Sequence, residues 1–140
     1  MKLFKLKSQR QRVYERLFPY AKDHLSQIKV EMGDYNGFNK CQHVARQRLE
    51  KGEANTIIVV LSFTPKAAVN VHFINRKGKT YIDHTLGYLS QKNIYFFVEE
   101  LSSEKASSDM NKLLNHYKDF YLSHFTPFEK FIYRINRNHI

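Results

Sequence analysis

The chain is 140 residues long, enough for one domain with its own core, and 42% of it is apolar, which excludes a disordered composition. Its formal charge of +10 favours contact with something anionic, such as nucleic acid or an acidic protein, yet no zinc-finger spacing, RNP-like signature or heptad run accompanies that charge. The single cysteine, Cys41, excludes an internal disulfide; no apolar segment follows the basic start and no run is long enough to span a membrane, so the expectation is a soluble cytoplasmic protein.

In chain order, Ser8 is placed to cap a first helix running to about Ile28, with Val13, Leu17, Ala21, Leu25 and Ile28 at helical spacing. Pro19 should kink or split it. Residues 33–37 (GDYNG) read as a loop, and Asn39 as the N-cap of a second helix that Gly52 stops. Thr56 to Phe63 (TIIVVLSF) reads as a buried central strand that Pro65 ends. Ala67 to Asn75 and Lys79 to Thr85 read as the arms of a hairpin, and Asn93 to Val98 as a fourth strand. The tail is helical. One apolar face runs from Ala106 through Met110, Leu113, Leu114 and Tyr117 to Tyr121, after a start signal at Ser102-Ser103. Thr126-Pro127-Phe128-Glu129 fits a capping box, and the stripe Phe128, Phe131, Ile132, Ile135 behind it should pack on the core. Strands grouped between helices indicate a single α+β domain, residues 1–140, with an antiparallel sheet of three to four strands in a core over 33–100 and helical flanks over 1–32 and 101–140.

The hairpin carries the first chemical signal. Ala68, Asn70, His72 and Ile74 share one strand face, and Tyr81, Asp83 and Thr85 share another. If the loop is Lys77-Gly78, or the four residues 76–79, His72 falls directly opposite Asp83; a three-residue loop breaks that pairing. Directly opposed Cβ atoms lie about 4.5–5.5 Å apart, close enough for a carboxylate to accept from an imidazole N–H and fix its tautomer. The second signal is Cys41, flanked by Lys40 and Gln42 at a helix start. There the unpaired N–H groups and the positive end of the macrodipole favour a thiolate. Its backbone N–H is free to face a developing oxyanion.

The order Cys41, His72, Asp83 resembles the transglutaminase-like cysteine protease superfamily, within the papain-like fold group. Members carry Cys near a helix start with a small residue four positions on, where Ala45 stands here, and an apolar strand follows, as TIIVVLSF does. A strand bearing His, a short turn with Gly and a strand ending in Asp complete the pattern, here Ile82-Asp83-His84-Thr85. The resemblance covers roughly 33–90; His84 stands where the family often has Pro, and Phe73-Ile74 where it often has Ala-Trp or Ala-Val. It implies a compact papain-like domain with Cys41, His72 and Asp83 as a catalytic triad for acyl transfer on a protein or peptide-like amide, and it calls for no cofactor. Hydrolysis and transfer to an amine both remain open. Asn36, Asn39 and Tyr35 are the candidates for a second oxyanion donor.

His43 should be an exposed helix residue, and His84 points to the strand face opposite Asp83. His24, His116, His124 and His139 show no zinc-ligand spacing. The rival reading is a binding protein without turnover. In it, Lys2, Lys5, Lys7, Arg10, Arg12 and Arg16 form a phosphate-binding arm, joined by Lys130, Arg134 and Arg137 from the tail. A further alternative lays the stripe around Phe128 to Ile135 on an anionic membrane surface.

Overall fold

The computed structural model describes residues 6–140, so Lys2 and Lys5 of the basic segment lie outside the described residues. Over the described residues the domain is mixed α+β: five α-helices and six strands, with the strands in one sheet of order β1-β6-β3-β4-β5-β2. The elements are α1 (Gln9–His24), β1 (Ser26–Ile28), β2 (Val30–Met32), α2 (Cys41–Glu50), β3 (Thr56–Phe63), β4 (Val69–Lys77) and β5 (Thr80–Asp83). They continue with β6 (Ile94–Glu100), α3 (Ser103–Ala106), α4 (Met110–Leu122) and α5 (Pro127–Tyr133). Among the described residues no helix is long and apolar enough to cross a membrane.

The sheet has two more strands than the sequence pattern predicts, and they account for its shape. β1 pairs antiparallel with β6 at one edge, and β2 pairs parallel with β5 at the other. Only Lys29 separates them, and a residue spans at most about 3.6 Å, so the two edges of the sheet must approach each other. The segment Ser26–Met32 is thus one extended stretch zipped first to β6 and then to β5, and the sheet curls around its own inner face. This pairing also ends α1 four residues early. Leu25 is extended, and Leu25 and Ile28 are not helical as the spacing suggests. Pro19 neither splits nor ends α1, because buried Val13, Leu17 and Ala21 on both sides of it enter the same core.

Alternation along the strands makes two apolar layers. Val59, Leu61, Phe63, Val69, Val71, Phe73 and Phe96 face outward and pack under α1, α2 and α4. Ile58, Val60, Ile74 and Tyr95 face into the curl with Ile28, Val30, Tyr81 and Phe97. On β3 the inward series ends in Ser62, paired with Asn70 on β4 and Tyr95 on β6. The inner layer therefore turns polar toward one end, where His72 and Asn70 also point.

Two tail expectations change. The single helix after Ser102 is two helices, because Asp109 caps a new one by accepting from the N–H groups of Asn111 and Lys112. The capping box of α5 is present, but its stripe does not pack: Phe128, Phe131 and Ile132 are 72%, 79% and 53% exposed, and only Ile135 is buried. The polar side of α5 wins the contact. Glu129 binds Arg16 of α1 at 2.6 Å, and the Arg12 guanidinium sits 4.0 Å from the centre of the Tyr133 ring, which turns the apolar side outward. Arg12 and Arg16 of the proposed basic arm are thereby engaged within the fold.

Candidate active site

The hairpin register differs from the expected one. Lys77 pairs with Thr80 and Arg76 with Tyr81, so the two-residue loop is Gly78-Lys79 and glycine is its first member. Gly78 has φ +60°, and the left-handed conformation falls at that first loop position, as a type II′ turn requires. This slides β5 by two residues. Parity is preserved, so Asp83 stays on the face of His72 as a diagonal neighbour rather than a direct one. The side chains still meet: His72 Nε2 lies 2.8 Å from Asp83 Oδ2, with both residues buried.

Asp83 is held at every oxygen. Oδ2 also accepts from the Tyr95 hydroxyl at 2.6 Å, while Oδ1 accepts from the Thr85 and Leu86 N–H groups at 2.9 and 3.0 Å. Burial alone would raise its pKa, but the charge of His72 and these hydrogen bonds outweigh burial and hold the carboxyl well below the usual range. Burial likewise pushes the His72 imidazole down, but Asp83 first and Cys41 second push it up more strongly, so its net pKa lies well above 6.5. Tyr95 is held protonated by burial and by the adjacent carboxylate. With Nε2 bound to Asp83, Nδ1 is the ring nitrogen left for the sulfur.

Cys41 reaches the imidazole from outside the sheet. β5 pairs with β4 only over Asn75–Lys77, which leaves β4 a free edge at Val71 and His72. The tip of α2 sits in this gap, and Cys41 and His72 line one cleft of about 680 Å³. Asn75 sets the height of the helix, since its amide donates to Ala45 O at 2.9 Å and to Thr56 O at 3.3 Å. Ala45 is buried there, and its single methyl permits the close approach. At the other end, Gly52 at φ +71° closes α2, with Gly52 N–H on Leu49 O and Glu53 N–H on Arg48 O.

The loop before Cys41 is zipped to the segment after Asp83. Gly33 N–H donates to Asp83 O, and Asn36 donates to Thr85 O through its backbone and to His84 O through its side chain. A Cβ on Gly33 would meet Asp83 O at 2.9 Å, so only glycine allows this contact. Asn39 is not the N-cap: it adopts φ +60°, Lys40 takes the cap position, and Cys41 is the first residue of the helix. The Cys41 N–H has no acceptor among the described residues. The thiol donates to Gln42 Oε1 across 3.6 Å, and Gln42 is itself held by donation to Asn111 of α4 at 2.7 Å.

The three oxyanion candidates separate. Asn39 lines the cleft beside Cys41. Asn36 spends its amide on His84 O, and Tyr35, absent from the cleft lining, meets Tyr88 at a tilt and Phe38 edge-on. His43 is exposed, as expected. The sequence pattern does not single out Tyr95, Gln42, Asn111, Lys118 or Ser62. The one available signal was that Ile58, Val60, Ser62 on β3 and Ile74, His72, Asn70 on β4 turn polar toward the same end. Comparison of the chain with protein-family models, with curated proteins and with solved structures finds no match.

Proposed function

We propose that the protein is a cysteine-dependent acyl-transfer enzyme, with amide hydrolysis as its reaction, in a compact papain-like, transglutaminase-like arrangement. The observation that carries this reading is the buried 2.8 Å contact of His72 Nε2 with a carboxylate saturated by four hydrogen bonds, beside a cysteine on the first turn of a helix. With one proton shared between the Cys41 sulfur and His72 Nδ1, the sulfur bonds to the amide carbonyl carbon and the proton stays on the imidazole. The C–N bond then breaks, and the amine leaves with the proton from His72. Water attacks the thioester, His72 takes its proton, and the acid departs as the thiol is restored. Asp83 holds the imidazole throughout. The Cys41 N–H, held by the helix backbone, and the Asn39 side chain, which lines the cleft, face the developing oxyanion. An amine in place of water would give transglutaminase-type transfer at the same site.

Alkylation by iodoacetamide across pH tests this reading. An active pair gives a Cys41 rate that persists below pH 7 and is lost in His72→Ala. A rate that follows an ordinary thiol of pKa about 8.5, indifferent to His72→Ala, supports instead a basic binding protein without turnover.

A further inference from the structure

We propose that the cleft beside Cys41 contains an anion subsite, built by Lys118 with Ser62 and Asn70, that selects amides carrying a carboxylate next to the reacting acyl group, as acidic peptides do. This deepens the acyl-transfer reading and rests on it.

Three observations carry the inference. Arg10, Lys66, Lys118 and Arg137 line the cleft, and among the described residues no Asp or Glu lines it. Arg137 is answered from behind by Asp119 through two contacts of 2.7 Å, and Arg10 donates to Asn138 O. Lys118 has no carboxylate partner among the described residues, although it is half-buried. Asn111 and Lys118 are seven residues apart on α4 and so share a helix face. Asn111 reaches Gln42 from that face, which directs Lys118 toward the tip of α2. Burial, together with the nearby Arg10 and Arg137 cations, loosens the hold of Lys118 on its proton, and Cys41 is the one neighbour that strengthens it. A desolvated cation without a counter-ion is a standing cost that an arriving anion offsets.

The third observation is independent of charge. Ser62 is 1% exposed, lines the same cleft, and its Oγ has no hydrogen-bond partner among the described residues. A buried hydroxyl without a partner carries a desolvation cost that a bound acceptor would recover. Asn70, paired with Ser62 across β3 and β4, adds an amide on the same face. Charge and neutral donors together suit a carboxylate better than an apolar side chain.

Two alkylating agents of nearly equal size read this directly. Iodoacetate and iodoacetamide both form an S–C bond to Cys41 and expel iodide, but only iodoacetate carries a carboxylate. The expected iodoacetate-to-iodoacetamide rate ratio at low salt is about tenfold above that of free cysteine, falling at least about threefold in Lys118→Gln and unchanged in Lys22→Gln. A ratio equal to that of free cysteine overturns the inference. So does a raised ratio that survives Lys118→Gln, since the His72 imidazolium alone would then explain it. If Cys41 reacts with neither agent, the acyl-transfer reading fails. The subsite is then decided by calorimetric titration of Cys41→Ala with a glutamate-containing peptide and its glutamine counterpart. Tighter binding of the glutamate peptide by about tenfold supports the subsite, and equal or absent binding overturns it.

Discussion

His72 and Asp83 stand on adjacent strands inside the curl of the sheet, His72 bonded to Asp83 and Asp83 bonded also to Tyr95, Thr85 and Leu86. Cys41 stands on the first turn of a helix, reached through a loop that contains a left-handed asparagine. The side proposed as the base is therefore fixed by strand pairing and by four hydrogen bonds to one carboxylate, and both its residues are buried. The nucleophile side is fixed by three loop hydrogen bonds to the segment 83–85 and by the single amide of Asn75. In the proposed reaction the two halves divide the work: orientation and charge come from the sheet, and the sulfur comes from the helix tip, where Cys41 is as buried as His72. The same division predicts where damage is felt. Changes on the base side should disturb chemistry and stability together, and changes on the nucleophile side should disturb chemistry alone.

Asp83→Asn tests the base side most severely. The amide keeps the shape and can still accept from Thr85 and Leu86, but it presents N–H to Nε2. The imidazole then carries its proton on Nδ1, facing the sulfur, and cannot take the thiol proton. Turnover is expected to fall about a hundredfold to ten-thousandfold, and alkylation of Cys41 should shift toward that of an ordinary thiol. Stability should fall as well, by about 3–5 kcal/mol if the pair behaves as a broken buried ion pair. Full activity in this variant, measured with a fluorogenic peptide amide, would remove Asp83 from the mechanism.

Asn39→Gly tests the nucleophile side. Asn39 already occupies the left-handed region, which glycine adopts at no steric cost, so the urea midpoint should hold or rise slightly. The side-chain donor at the cleft is lost, and turnover should fall about tenfold to a thousandfold through kcat rather than KM. A fall in stability equal to the fall in activity would show that Asn39 only shapes the loop.

The contrast between the halves also explains what could be read in advance. β3 is legible from eight residues of nearly unbroken apolar and β-branched sequence, and the caps at Ser8 and Thr126 follow local chemistry. The shared face of His72 and Asp83 was legible because side-chain parity survives a register slip of two residues, whereas direct opposition did not. β1 and β2 were not legible. Three residues each, with no alternation of their own, they exist because β6 and β5 offer free edges. The outward turn of α5 was hidden for a related reason. An apolar stripe indicates what burial would favour locally, while Arg16 and Arg12 on a distant helix decide which side docks.

The pH dependence of stability sharpens the comparison with the smallest effect. His72 has a folded pKa raised above 6.5, so its contribution is complete below that value and is lost as pH rises toward the folded value. Asp83 has a folded pKa depressed below 3.8, so its contribution is complete above that value and is lost as pH falls. The two contributions belong to one ion pair, so they overlap in a plateau. The difference in urea-unfolding free energy between the wild type and His72→Gln should be level from about pH 4 to about pH 6.5 and shrink on both sides. Its size on the plateau should be of the order of 1–3 kcal/mol, smaller than the cost of stranding the carboxylate, because glutamine can still donate to Asp83. Cys41→Ala, by contrast, should leave the acid edge of the wild-type curve unchanged, because that edge belongs to Asp83 and not to the sulfur. A difference between wild type and His72→Gln that stays constant from pH 3 to pH 10 would mean that the imidazole is neutral in the folded protein, and the base side would then lack the charge assigned to it here.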